Sequence, residues 1–222
     1  QFVMDVSGSG NNFARGYYMY GPQYRDKFEE GLRRNAEECD SLQTFLVTHS
    51  LGGGTGSGVG SYVVGLLDDI FPEVYRFSAC VFPSEDNDVV TSPYNSTLAT
   101  NQLLEHADCV LPIDNAALQA FAQLEAQQRK PTREKTSNVS SMTDQHDQGF
   151  NDMNDVAARM LCHLTPSSRF HGAMNVDLNE LCTNLIPFPR LKFLMSALSP
   201  CRSTGGGKSN GFSALGDRAY LQ

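Results

Sequence analysis

Six glycines fall within the nine residues 52–60 (GGGTGSGVG), and this run restricts the fold more than any other feature of the chain. It follows Thr44 to Thr48 (TFLVT), which reads as a buried strand. It precedes Val59, Val63, Leu66 and Ile70, a helical stripe that Pro72 ends. A glycine-rich turn between strand and helix lets backbone come close to a ligand and reach positive φ. Its successive N–H groups form a concave nest for an anion, and the helix N-terminus adds partial positive charge. Thr55 and Ser57 add hydroxyl donors. A phosphate cradle accounts for this arrangement. A flexible linker does not, because linkers do not sit tightly between strand and helix.

The rest of the chain repeats the strand-then-helix rhythm. Phe2 to Val6 is apolar, reads as a strand, and ends in Ser7-Gly8-Ser9-Gly10. Tyr24, Phe28, Leu32 and Ala36 recur every fourth residue and predict a helix. Strands are expected at Tyr75 to Phe82 and Cys109 to Ile113, with a helix from Tyr94 to His106 whose Leu98, Leu103 and Leu104 point inward. Asp114 is a candidate N-cap for a helix carrying Ala117, Leu118 and Phe121. Residues 123–149 are polar and charge-mixed and read as a flexible excursion. Helices then span about Asn151 to Leu164 and Asp177 to Leu185, followed by a strand at Leu191 to Met195. Short strands alternating with helices predict an α/β fold, a doubly wound, mostly parallel sheet.

Several function classes are excluded or weakened. The charge sum of 17 basic and 25 acidic residues is −8, which opposes a surface built for nucleic acid. No apolar run reaches the length of a membrane span, and Gln1 to Asp5 does not resemble a signal peptide. Six widely spaced cysteines without C-x-x-C argue against a disulfide framework or zinc knuckle and favour a reducing compartment. In such a compartment the sequons at Asn95 and Asn138 carry little meaning. The five histidines show no metal spacing, and no nucleophile elbow occurs. The dinucleotide pattern G-x-G-x-x-G fails at Val59 and at Phe13, which weakens a dinucleotide oxidoreductase. Gly205 to Ser209 imitates a P-loop, but its first glycine would fall on Arg202.

Weaker candidates remain open on the residues alone. Gly8-Ser9-Gly10-Asn11-Asn12 is either a turn or a second ligand loop at a strand C-terminal end. Residues 83–88 (PSEDND) are either a ribose-contacting loop or a solvated acidic one. Asp177 and Glu180 share one side of a short helix, where they can polarise water or simply favour the helix dipole.

Taken with Thr48-His49-Ser50-Leu51, the run Gly52 to Gly58 resembles the tubulin signature, and the resemblance extends from Gly8 to about Pro200. Pro93-Tyr94-Asn95, Ile113-Asp114-Asn115, Met174 to Leu178 and Ile186 to Leu191 match further tubulin blocks in order. The runs 91–96, 105–115 and 176–180 resemble the epsilon form more than the alpha or beta forms. The resemblance implies a GTP-binding domain over 1–164, incomplete at its N-terminus, and the start of an α+β intermediate domain over 165–222. It implies GTP as ligand, with magnesium ligands in a part that this chain does not contain. Ser50, Gly53, Gly54, Thr55 and Gly56 would hold phosphates, and Gly10 and Asn11 would close over the terminal one. Asp88 would contact ribose, Asn115 and Asn154 would read guanine, and Phe150 would stack on the base in place of a tyrosine. Ser92 stands where the family often carries glutamate. Glu180, supported by Asp177, would act in trans on the GTP of the next subunit; the alternative is a tubulin that holds GTP without hydrolysis. Implied partners are other tubulin subunits, delta-tubulin and centriolar proteins, with neither nucleic acid nor membrane. The implied location is the cytoplasmic cytoskeleton at a centrosome, centriole or basal body.

Overall fold

The computed structural model describes residues 2–84, 89–128, 142–170, 172–173 and 175–197, without the side chains of 125–128 and 142–149. Its centre is a parallel sheet in the order β1 (Thr44–Ser50), β2 (Tyr75–Phe82), β3 (Cys109–Asp114). Ser50 pairs with Val81 and Val81 with Ile113, so all three strands end together. The strand expected at 191–195 shrinks to a bridge between Phe193 and Val110. Val110 N–H donates to Lys192 O at 2.7 Å, and Leu194 N–H donates to Val110 O at 2.9 Å. The next donor on that edge of β3 would be Pro112, which has no N–H, so the ladder stops there.

A π-helical stretch Arg15–Tyr20 continues through the turn Gly21–Gln23 into α1 (Arg25–Glu37). A second π-helical stretch, Thr55–Val59, opens α2 (Gly60–Ile70). The chain then forms α3 (Ser92–His106), α4 (Asn115–Gln128), α5 (Met142–Leu164), α6 (Pro166–Arg169) and α7 (Leu178–Leu185). One face of the sheet packs Cys80 and Val110 against Phe13, Leu51, Val64 and Leu103. The opposite face packs Phe77, Cys109 and Leu111 against Leu178, Cys182 and Leu118. Helices therefore cover both faces, as the alternating pattern predicts.

The differences from expectation have physical causes. Phe2 to Val6 forms no strand: it finds no ladder among the described residues, and Phe2 is 92% exposed. The buried stripe of α2 is Ser61, Val64, Leu66 and Leu67, while Ile70 is exposed. On α3 the inward residues are Ser92, Asn95, Ala99 and Leu103, and Leu98 and Leu104 lie exposed. That face of α3 meets carbonyl groups of two loops, so it needs amide and hydroxyl groups rather than leucines. Asp114 does cap α4, accepting from Ala116 N–H at 3.0 Å. Of the excursion expected over 123–149, residues 123–128 belong instead to α4 and 142–149 to α5. Residues 129–141 and the loop after Cys201 lie outside the described residues. The five described cysteines are free, and no described helix is long and apolar enough to cross a membrane.

This register of α3 is testable. Leu103→Ala should cost about 2–5 kcal/mol, as for other buried leucines. Leu98→Ala should change stability by about 0.5 kcal/mol or less. Urea unfolding followed by circular dichroism reads both, and equal losses would show that α3 is turned the other way.

Candidate functional site

The two glycine-containing loops meet at the C-terminal ends of the strands. In the first, Gly10 and Asn11 have φ of 61° and 52°, two consecutive left-handed residues. Asparagine tolerates that region better than most side chains, and glycine does so freely. Asn12 then starts the helical stretch, its Oδ1 accepting from Ala14 N–H at 2.9 Å. The second loop starts at Leu51, which is buried and whose N–H donates to Val81 O at 2.9 Å. The loops touch through Ser9 Oγ and Thr55 Oγ1, 3.1 Å apart.

The buried side chain of Asn95 joins them. Its Oδ1 accepts from Phe13 N–H at 3.0 Å, and its Nδ2 donates to Asn11 O at 2.9 Å and Gly52 O at 3.0 Å. Thr91 Oγ1 also donates to Asn11 O at 2.6 Å, and Ser96 Oγ reaches Leu51 O at 3.4 Å. The N-terminal half of α3 thus holds both loops in place. The site residues inferred from sequence do not include Asn95, because a single amide in a helix carries no periodic signal. Only its place in the Pro-Tyr-Asn block marked it.

The glycines divide into two groups. A Cβ on Gly54 would lie 2.5 Å from Ser9 Oγ and strike the backbone of Asn12. A Cβ on Gly58 would lie 2.5 Å from Phe13 O. These glycines let the two π-helical stretches pack backbone against backbone. Gly53 is different: the nearest atom to its Cβ would be Asn11 Oδ1 at 3.8 Å, so packing does not require glycine there. Gly56 backs onto Ser50, whose Oγ would be 2.7 Å from an added Cβ. Beneath the loop His49 contacts Gly56 O and Ser78 Oγ, and burial pushes its pKa down, so the ring is held neutral.

Gly10, Asn11, Ser50, Gly53, Gly54, Thr55 and Gly56 therefore converge on one end of the sheet. Exposed Asn115 stands at the same end, immediately after β3, two strands from Ser50 and about 10 Å away at the usual strand spacing. Asp88 lies outside the described residues. Phe150 and Asn154 are exposed and one turn apart on α5. At about 100° per residue Asn154 points away from both Val156 and Met160, and Phe150 points away from Val156; Val156 and Met160 line a small hollow beside Asp114 and Phe121. The described structure does not bring them onto the loops. Among the described residues no group of three or more His, Cys, Asp or Glu side chains could hold a metal ion.

Asp177 and Glu180 lie elsewhere. Asp177 precedes α7 with extended backbone and makes no side-chain cap, and Glu180 sits exposed in the first turn. Neighbouring Asn179 Oδ1 accepts from Thr44 Oγ1 at 3.4 Å. Thr44 begins β1 and Ser50 ends it, so α7 meets the opposite end of the sheet, about 20 Å from the loops at the usual strand rise.

Comparison with known proteins agrees with this architecture. The model of the Tubulin/FtsZ family GTPase domain matches residues 1–123. The chain is 48% identical to the tubulin epsilon chain of Mus musculus and 47% identical to that of Homo sapiens, each over 90% of this chain and 44% of the relative. Identity to the tubulin beta chain of Porphyra purpurea is 40%, over 92% of this chain and 41% of the relative. The chain thus spans less than half the length of these curated relatives. Identity is higher to the epsilon chains than to this beta chain, as the epsilon-like runs imply. With its parallel sheet, its paired loops and these matches, the chain belongs to the Tubulin/FtsZ family.

Proposed function

We propose that this chain is the nucleotide-binding part of an epsilon-type tubulin that binds GTP and assembles with other tubulin subunits. The observation that supports it most is the joining of the two loops by Asn95 at the C-terminal ends of parallel strands. In open α/β sheets ligands bind at that position. The loop 52–58 offers backbone N–H groups and the Thr55 hydroxyl to phosphate oxygens, and the helix dipole of α2 favours the negative charge. Gly10 and Asn11 close over the terminal phosphate. Asn115 and Asn154 present amide donors and acceptors to guanine, Phe150 stacks on it, and Asp88 meets the ribose. In this reading 1–164 is the GTP-binding domain and 165–222 opens the intermediate domain. Magnesium ligands belong to parts of the whole protein outside this chain. Delta-tubulin and centriolar proteins are the proposed partners, at a centrosome, centriole or basal body.

Hydrolysis, in the same reading, is split between subunits. Glu180 cannot reach phosphates held by its own loops across the length of β1. It stands at the end of the sheet that a head-to-tail neighbour would present to those loops. There Glu180 positions and polarises the attacking water, and Asp177 supports it.

Three outcomes test these assignments in the full-length protein. Gly53→Asp places a carboxylate in open space beside Asn11, and Thr55→Val removes a donor to a charged group. Each should weaken GTP binding about tenfold or more with little change in melting temperature, measured by titration with a fluorescent GTP analogue. Unchanged affinity in both would remove the loop from phosphate binding.

ATP should compete poorly with GTP, because mismatched amides at Asn115 and Asn154 would be left unpaired. Equal competition would withdraw the base assignment.

Glu180→Ala should leave the subunit's own GTP affinity intact. It should slow phosphate release about 10²–10⁴-fold only where a neighbour presents GTP to it. Mixed assemblies with radiolabelled GTP on one partner identify which nucleotide persists; retention of the mutant's own would contradict action in trans.

A further inference from the structure

The loop's geometry depends on a side chain that touches no phosphate in the reading above. His49 lies on β1, on the sheet face that also carries Val47. Its Nδ1 is 2.8 Å from Gly56 O, and its Nε2 is 2.9 Å from Ser78 Oγ on β2. A carbonyl can only accept, so Nδ1 carries the proton and Nε2 accepts from the Ser78 hydroxyl. Ser78 is fully buried, and Gly60 packs against the ring, where an added Cβ would lie 2.9 Å from Nδ1. The ring therefore has little freedom to turn.

Peptide planarity carries this contact into the loop. In a trans peptide C=O and N–H point in opposite directions. Pinning Gly56 O toward His49 sends Ser57 N–H the other way, where it donates to Gly53 O at 3.4 Å. Ser57 Oγ donates to the same carbonyl. Gly53 O is thereby fixed, and the Gly54 N–H must point away from it. One imidazole thus sets the directions of two peptide groups in the phosphate loop, Gly56–Ser57 and, through Ser57, Gly53–Gly54. The bond to Gly56 O also falls within the π-helical stretch Thr55–Val59, as expected where a side chain intrudes on a helical hydrogen-bond ladder.

We infer that His49, held in one tautomer by Ser78, is a positioning residue that aims the N–H groups of loop 52–58 at the nucleotide phosphates. This rests on the GTP-binding reading, and the test separates the two. In the full-length protein His49→Phe keeps a ring and loses the donor. His49→Asn places an amide donor near the position of Nδ1. Ser78→Ala releases the tautomer and removes no contact to the loop.

His49→Phe should weaken binding of the fluorescent GTP analogue about tenfold, His49→Asn should restore it to within about threefold of wild type, and Ser78→Ala should fall between. Nitrogen-15 NMR of the wild-type imidazole should show protonated Nδ1 and bare Nε2. If His49→Phe does not fold, the Asn and Ala variants and the NMR signature decide. A ring protonated on Nε2 would overturn the inference. So would wild-type affinity in both His49→Phe and Ser78→Ala while Gly53→Asp binds weakly. If wild-type protein does not bind GTP, the underlying reading fails and the inference fails with it.

Discussion

The buried carboxamide of Asn95 is the contact on which the arrangement of this end of the molecule depends. It uses its oxygen on Phe13 N–H and its nitrogen on the carbonyls of Asn11 and Gly52. These backbone groups belong to segments separated by roughly forty residues of chain, and they lie in loop at Asn11 and Gly52 and in the first helical turn at Phe13, where the N–H has no partner within the helix. A buried backbone group without a partner costs about 1–3 kcal/mol, so loops of this kind can enter a core only where something satisfies them. Leucine at position 95 would fill the space, leave Phe13 N–H without its acceptor, and leave the carbonyls of Asn11 and Gly52 to the hydroxyls of Thr91 and Ser92 alone. The polar inner face of α3 follows from this: Ser92, Asn95 and Ser96 face carbonyls, and the apolar packing begins one turn later at Ala99 and Leu103.

Once the loops are pinned, glycine is required for two separate reasons. Gly16, Gly54 and Gly58 allow the stretches Arg15–Tyr20 and Thr55–Val59 to touch through their backbones, where any side chain would collide. Gly53 has room for a side chain, and what it leaves uncovered is loop backbone. Glycine density in the sequence reports the sum of these needs and does not separate them. Gly54→Asp would therefore fail through packing against Asn12, whatever the ligand, whereas Gly53 isolates the ligand's requirement.

This division explains what could be read from residues alone. The three paired strands are legible because apolar runs such as Thr44 to Thr48 and Tyr75 to Phe82 are bounded by turn residues; burial on both faces holds for β2 and β3 only, whereas β1, expected to be buried, exposes Leu46, Thr48 and Ser50. The inward face of α3 is not legible from leucine spacing, whereas on α2 the expected Leu66 is buried. Leu98 and Leu104 outrank Asn95 on any hydropathy scale, yet loop carbonyls determine which side faces in. The end of the pairing beside β3 is set by the missing N–H of Pro112, a local fact in the sequence whose meaning needs the partner strand. The loop 52–58 was legible as a candidate site; Asn95 and the joint of His49 to Ser78 were not, because each is a contact between residues distant in sequence.

A parallel sheet has two unlike ends, and this gives the molecule a direction. All three strands finish together, so the loops, the π-helical stretches and Asn115 collect at one end. The Thr44–Asn179 contact keeps α7 at the other, with Glu180 exposed beside it. A head-to-tail relation places the acidic start of α7 against the glycine loops of the next copy, and such a heterologous contact repeats without closing unless rotation closes it. On the proposed reading, assembly and hydrolysis therefore draw on the same property: a nucleotide held at one end of a directed subunit meets the carboxylate needed to attack it only after the next subunit has arrived.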